Sequence, residues 1–290
     1  IRLAQDDKQR RSVVSWLSNS VPDTSAYHAK ARQRHEKTTG EWVTSSEELQ
    51  EWLTSPNSFL WLKGGAGAGK TILCSTIINY LQDHCEAKKA ELFSVVAYWY
   101  FSFTDEKTQD LRNFLCSIVR DLCSQTLHLP DAVLDLYAKN NNGQQRPTTE
   151  DLLKVFRSLA PGFDHVYLVA DALDECPQSE HCRDDLLKEI HEITESNLDC
   201  LHFLATSRDE IDIRSSFSLL KQPGRSFAEL AAKGARVQKD IKKFLEAQLR
   251  DSKYAKWSEA EKFDVTKTLV AQADGMYVFN LLPSTFAILV

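Results

Sequence analysis

No run of about 20 apolar residues, the length a membrane-spanning helix needs, occurs in this 290-residue chain. The longest candidates, Phe93–Phe101 and Met276–Val290, are too short, and Asn280 and Pro283 interrupt the second. Cysteine is sparse and odd in number, seven in all, without paired C-x-x-C spacing. That excludes an evident disulfide framework and fits a reducing, cytoplasmic compartment. Methionine occurs once, at Met276, and the chain opens on Ile1, so we expect it to be a piece of a longer protein. A basic excess is also lacking: 35 Lys and Arg against 41 Asp and Glu give a net charge of −6. Phosphate backbones are held by surplus cations, so the balance argues against a nucleic-acid partner. Glycine is scarce, with ten in the chain, yet Gly64, Gly65, Gly67 and Gly69 fall within six residues. What remains is ordinary for a globular protein with an ample core, 42% hydrophobic and 26% charged.

The glycine cluster is the centre of the sequence. Phe59-Leu60-Trp61-Leu62 reads as a short buried strand, Lys63 to Gly69 as a loop, and Lys70-Thr71-Ile72-Leu73 as the start of a helix. Gly64, Gly69, Lys70 and Thr71 match the phosphate-loop spacing G-x-x-x-x-G-K-[ST]. Glycines admit positive φ and let backbone N–H groups approach phosphate oxygens, while the helix that follows points its positive end at the same anion. The residues placed around the phosphates are therefore Gly64, Gly65, Ala66, Gly67, Ala68, Gly69, Lys70, Thr71 and Ile72. Lys70 would reach the β- and γ-phosphates and the Thr71 hydroxyl would ligate Mg²⁺. The ligand expected is a nucleoside tri- or diphosphate, ATP/ADP or GTP/GDP.

Periodicity organises the rest. The first 55 residues are polar and helical in pattern, with Val13, Val14, Leu17 and Val21 at helical spacing and a basic stretch, Tyr27–Lys37, read as a solvated face or linker. Ser45 or Ser46 is the expected cap of a helix over 47–53. After the loop, helices are expected to about residue 85, near 108–125, over 131–139, from Thr149 to Leu159 and over 182–195. Phe93–Phe101, His165–Ala170 and Leu201–Thr206 read as strands covered on both faces. Beyond residue 212 the strand signals stop, and helices are expected over 237–250 and 258–273. The fold class implied is α/β, a three-layer α/β/α P-loop NTPase with a mainly parallel sheet, N-terminal helices and a small C-terminal helical appendage. The expected division is a lead-in over 1–55, a core over 56–228 and an incomplete appendage over 229–290.

The strand Val166–Ala170 delivers Asp171 to the carboxyl end of the sheet, where open α/β folds bind ligands. A carboxylate there is suited to hold Mg²⁺ opposite Thr71. Asp174 and Glu175 follow in the turn, and either one would orient or deprotonate an attacking water, with Glu175 preferred. Arg208 ends the next strand and is placed to sense a γ-phosphate; the alternative is a salt bridge to Asp209 or Glu210.

Asp171-Ala172-Leu173-Asp174-Glu175-Cys176, then Ala205-Thr206-Ser207-Arg208, together with Gly64–Thr71 upstream, resemble the NACHT class of signal-transduction (STAND) NTPases. The likeness is strongest to the fungal, nephrocystin-like members, and Gly40-Glu41-Trp42 with Leu49 through Trp52 is similar to the segment before their phosphate loop. It spans roughly residues 25 to 250. The resemblance implies a Mg²⁺-dependent ATP or GTP switch that hydrolyses slowly, is closed with the diphosphate, and opens to a homo-oligomer with the triphosphate. In fungi it implies self/non-self recognition and cell-death signalling, with effector and repeat domains elsewhere in the longer protein. Ala273–Phe279 begins like the family's helical region, departs after Asn280, and leaves its winged helix unmatched.

Other constellations are weaker. Cys176 and Cys182 with His181 and His191 match no common zinc spacing and read as a loop with incidental thiols. Tyr98, Trp99 and Tyr100 lie in an apolar run and read as core rather than base-stacking residues. The rival functions are a P-loop kinase or transferase and a nucleotide-binding module without turnover. A kinase needs arginines gathered over an acceptor, whereas Arg112, Arg120, Arg146 and Arg157 are scattered.

Overall fold

The computed structural model describes residues 2–272 apart from 20, 127, 180, 181 and 197; Ala273–Phe279 and Met276–Val290 lie outside the described residues. Four helices, α1 (Arg2–Ser18), α2 (Ser25–Arg34), α3 (Glu41–Thr44) and α4 (Glu47–Thr54), precede β1 (Ser58–Lys63). The chain continues through α5 (Lys70–Lys88), β2 (Ser94–Tyr100), α6 (Glu106–Gln109), α7 (Leu111–Gln125), α8 (Asp131–Lys139), α9 (Thr149–Leu159) and β3 (His165–Asp171). Then come α10 (Cys182–Thr194), β4 (Leu201–Ser207), α11 (Ile211–Ser218), β5 (Phe227–Ala231), α12 (Ala235–Gln248) and α13 (Glu259–Gln272).

Among the described residues the strands form one sheet in the order β2-β3-β4-β1-β5, and every pair is parallel. Side chains alternate across a strand, so β1 sends Phe59 and Trp61 into one core and Leu60 and Leu62 into the other. The first core packs against α1, α7, α9, α10 and α11 and the second against α4, α5 and α12. This is the expected three-layer P-loop NTPase architecture. Trp99 and Tyr100 are buried as expected, and the Trp99 indole donates to the Thr108 carbonyl at 2.9 Å.

Three expectations need correction. Strand character does not stop at residue 212: β5 lies parallel to β1, with Phe227 opposite Phe59 and their rings stacked at 5.5 Å. Phe-Ala-Glu-Leu-Ala escaped notice because an edge strand needs little apolar surface, and Glu229 within it pairs with Lys63 and Lys221. The helix expected near 108–125 is two helices, because Asp110 leaves the helix to cap α7, accepting from Asn113 N at 2.9 Å. The basic stretch is not simply solvated: on α2 the His28 ring sits between the Tyr100 hydroxyl and Asn79 Oδ1, both at 2.9 Å. Arg32 donates to Thr76 on α5 at 3.2 Å, while Lys30, Arg34 and Lys37 do face solvent.

The helices after β5 are latched to the segment before β1. Asp240 of α12 is buried and accepts the Gly40 N–H at 2.6 Å and the Trp42 indole N–H at 3.0 Å. Gly40 takes φ +75°, and a Cβ there would meet Leu73 of α5 at 3.2 Å. Only glycine brings this turn so close to the first turns of the phosphate-loop helix.

At the opposite end of the sheet His202 is buried, with Nε2 2.8 Å from His165 Nδ1 and Nδ1 2.8 Å from Ser58 Oγ. Burial pushes its imidazole down to about 4. The unfolded chain then binds the proton first as pH falls from about 6.5 towards 4, so stability is full above that window and declines through it. The contribution is about 3 kcal/mol by linkage. Urea unfolding at pH 7 and pH 5 should show that His202→Asn flattens the decline; equal slopes for both proteins would contradict the assignment.

Candidate functional site

β1 is flanked by β4 and β5, so its carboxyl end opens into the loop Gly64–Gly69 beside the last residues of β4. Gly67 and Gly69 take φ of +68° and +77°, the left-handed region that glycine enters without penalty. A Cβ on Gly64 would stand 3.0 Å from that of Ala232 and 3.2 Å from that of Ala68, so a side chain there would push the loop off the sheet. Gly65, Ala66 and Gly67 are exposed, Ala68 is buried beneath them, and Gly69 leads into α5, with Ile72 half-buried in its first turn. No acidic residue occupies that turn, which leaves the positive helix end uncompensated from within α5. The Lys70 ammonium donates to the Gly64 and Gly65 carbonyls at 2.8 and 3.0 Å. Burial lowers its pKa, opposed by the charges of Asp174 and Asp171.

Asp171 ends β3 and its carboxyl is buried. Its Oδ2 accepts from Thr71 Oγ1 at 2.8 Å and its Oδ1 from Thr206 Oγ1 at 2.6 Å. Thr206 in turn accepts the Ala172 N–H at 2.9 Å. The structure thus brings together the two residues assigned to a metal from sequence, Thr71 and Asp171. Burial pushes the Asp171 carboxyl up, and the hydroxyls of Thr206 and Thr71 pull it back. Both side chains offer hard oxygen atoms, the donor class Mg²⁺ takes, in the small number that would suit an ion completed by phosphate and water. Among the described residues no group of three or more His, Cys, Asp or Glu could hold a metal.

The chain reverses after Asp171 because Ala172 sits at φ +60°, ψ +50°, a strained position for a residue with a Cβ. The turn carries Asp174 and Glu175 back over the site. Asp174 receives both the Arg208 side chain, Nε to Oδ2 at 3.0 Å, and the Arg208 N–H, to Oδ1 at 3.0 Å. The salt bridges considered for Arg208 go elsewhere: Asp209 pairs with Arg214, and Glu210 with Arg183. Glu175 accepts the Phe103 N–H at 3.1 Å, from the loop after β2. Burial raises its carboxyl, and the nearby charges of Asp171 and Asp174 raise it further.

Sequence reasoning missed two positioning residues. Thr206 is one, since a hydroxyl at a strand end is unremarkable until β4 is known to lie between β1 and β3. Arg183 is the other. Its buried guanidinium donates to the Asp174 carbonyl at 2.6 Å and the Cys176 carbonyl at 2.8 Å, and pairs with Glu210 and with Asp212, the latter at 3.2 Å. One side chain therefore ties the acidic turn to the loop after Arg208. The four scattered arginines do not converge on an acceptor site. Arg120 pairs with Asp121, Arg157 with Glu192 and Arg146 bonds Asn113. His191 bonds Ser216 rather than either cysteine, and His181 lies outside the described residues. No helix among the described residues is long and apolar enough to cross a membrane.

In solved structures the chain is similar to the Aeropyrum pernix ORC2 protein in its ADPNP–ADP complexes, with 17% identity, coverage of 81% of this chain and 55% of that one, and a TM-score of 0.40. It is likewise similar to Cdc6p of Pyrobaculum aerophilum, with 13% identity, coverage of 81% and 53%, and a TM-score of 0.44. In sequence it is 27% identical over 198 residues to the vegetative incompatibility protein HET-E-1 of Podospora anserina. That alignment takes in 66% of this chain but only 14% of HET-E-1. The pattern of the Nephrocystin 3, N-terminal family matches residues 38–208, more than half the chain, from the turn before Gly40 to Arg208 at the end of the site. The chain belongs to the Nephrocystin 3, N-terminal family, and its fold is that of a NACHT-type P-loop NTPase.

Proposed function

We propose that the chain is a nucleotide-binding signalling module: it holds ATP or GTP, or the diphosphate, on the Gly64–Thr71 loop and hydrolyses the triphosphate slowly. The observation that carries this is the hydrogen bond between Thr71 and Asp171, 100 residues apart in sequence and joined at the mouth of the glycine loop. In this reading the amides of Gly65 through Lys70 and the helix end meet the phosphates. Lys70 leaves the loop carbonyls for the β- and γ-phosphate oxygens. Thr71 and Asp171 would hold Mg²⁺, which when bound supplies charge neutralisation at the phosphates.

Glu175 orients or deprotonates the attacking water. Its raised carboxyl pKa makes it a better proton acceptor than an exposed glutamate would be. Asp174 is given instead to holding Arg208, which is placed to exchange that partner for a γ-phosphate. The core over 56–228 and the appendage over 229–290 then act as two parts of a conformational or oligomerisation switch. Such a switch would serve self/non-self recognition or cell-death signalling inside a longer, cytoplasmic protein with effector and repeat domains. The likeness to a vegetative incompatibility protein supports the setting.

A second reading, binding without turnover, is favoured by one observation: Glu175 is already engaged by the Phe103 amide. Titration calorimetry and phosphate release separate the two. Lys70→Ala should weaken nucleotide binding about tenfold or more, and unaltered affinity would count decisively against the site. Asp171→Asn should reduce Mg²⁺-dependent hydrolysis far more than it reduces metal-free nucleotide binding; equal losses would remove the metal role. Glu175→Gln should stop turnover while sparing affinity, and tight binding with no turnover in either protein would favour the second reading.

A further inference from the structure

Cys176 and Cys182 both follow the acidic turn in the chain. Cys176 follows Glu175 directly and is fully buried, whereas Cys182 is the first residue of α10 and partly exposed. Their sulfur atoms are 3.1 Å apart, and both approach the Gln109 carbonyl, at 4.0 and 3.4 Å. Both are free thiols. Among the described residues no other cysteine pair is so placed: Cys74, Cys116 and Cys123 are buried separately, and Cys85 and Cys200 have no sulfur neighbour. A disulfide needs a sulfur separation of about 2.0 Å, so roughly one ångström of approach closes the bond.

We propose that Cys176 and Cys182 form a peroxide-oxidisable dithiol, a modification site set against the turn that carries Asp174 and Glu175. Cys182 is the attacking thiol, because it is the partly exposed one that an oxidant meets, whereas Cys176 is fully buried. The thiolate attacks one oxygen of hydrogen peroxide; the S–O bond forms, the O–O bond breaks, and hydroxide leaves to become water. The Cys176 sulfur then attacks that of the Cys182 sulfenic acid. The S–S bond forms, the S–O bond breaks, and the oxygen departs with the Cys176 proton as a second water. Overall two thiols lose two electrons and one peroxide becomes two waters. Burial raises the Cys176 thiol, which suits the resolving role rather than the first attack.

Closure acts on the neighbouring site through covalent and hydrogen-bonded links. Drawing the sulfurs together takes Cys182 off Gln109, and it pulls on Cys176, whose carbonyl is held by Arg183 and whose preceding residue is Glu175. A consequence for turnover rests on the hydrolytic reading above: the oxidised form should hydrolyse more slowly with its phosphate loop, and hence its affinity, untouched.

The test is peroxide treatment of the reduced full chain, alkylation, and non-reducing peptide mapping. A Cys176–Cys182 cross-link with a mass loss of about 2 Da, reversed by dithiothreitol, absent in Cys182→Ser and retained in Cys85→Ser, is the expected result. Cys182 over-oxidised to the sulfinic acid with Cys176 still alkylable, or both thiols alkylated, would overturn the proposal. In parallel, phosphate release from the oxidised protein should fall about fivefold with affinity within about twofold, and Cys182→Ser should abolish that loss. Equal turnover in both redox states would overturn the coupling. Absence of turnover in the reduced protein would count against the hydrolytic reading, while the cross-link alone decides the dithiol.

Discussion

A single buried carboxylate holds the site together. Asp171 has two oxygens and two hydroxyl donors, one from the first turn of the phosphate-loop helix and one from the end of β4. Burying a carboxylate without partners is costly, and each hydroxyl recovers part of that cost only from its present position. The strand order supplies the positions. β4 lies between β1 and β3, so Thr206 stands between the glycine loop and Asp171 and bonds the carboxylate while also receiving the Ala172 amide. Moving any of these three strand ends would break the arrangement, which is why the parallel sheet matters to chemistry at its edge.

Around that carboxylate the charged groups are arranged as replaceable pairs. Lys70 bonds loop carbonyls, Arg208 bonds Asp174, and Glu175 bonds the Phe103 amide. For Lys70 the exchange is favourable, because a charge-assisted bond to an anionic phosphate exceeds one to a neutral carbonyl. Arg183 is different. Its guanidinium is buried and joins two loops at four acceptors, so it acts as scaffold beneath the exchanging groups. A further tie runs to the chain's flanks, where Asp240 on α12 fixes the Gly40–Trp42 turn beside the phosphate-loop helix. The Gly40–Trp42 turn thus joins the phosphate-loop helix to α12.

Much of this is legible in the amino-acid sequence. Strands buried on both faces announce themselves as continuous apolar runs, and β1, β3 and β4 did so; the glycine spacing and the acid at the end of β3 carried the site with them. What escaped was of two physical kinds. Some features depend on neighbours that sequence does not reveal: β5 is a strand because β1 is beside it, and the Cys176 and Cys182 sulfurs meet only once α10 has docked. Others break a local rule. The turn after Asp171 was expected, but Ala172 makes it in a left-handed conformation for which glycine would be the usual residue, so its identity did not signal that conformation. Asp110 interrupted an apparently continuous helical period by capping the second helix rather than joining the first.

The central claim is that the glycine loop, Thr71 and Asp171 make one metal–nucleotide site. Its most direct test is a crystal structure with a non-hydrolysable triphosphate and Mn²⁺, read by anomalous scattering. The account predicts a peak about 2.0–2.2 Å from Thr71 Oγ1, on the Asp171 side, with phosphate oxygens on the loop amides. A peak elsewhere, or a triphosphate bound away from Gly64–Thr71, would contradict it.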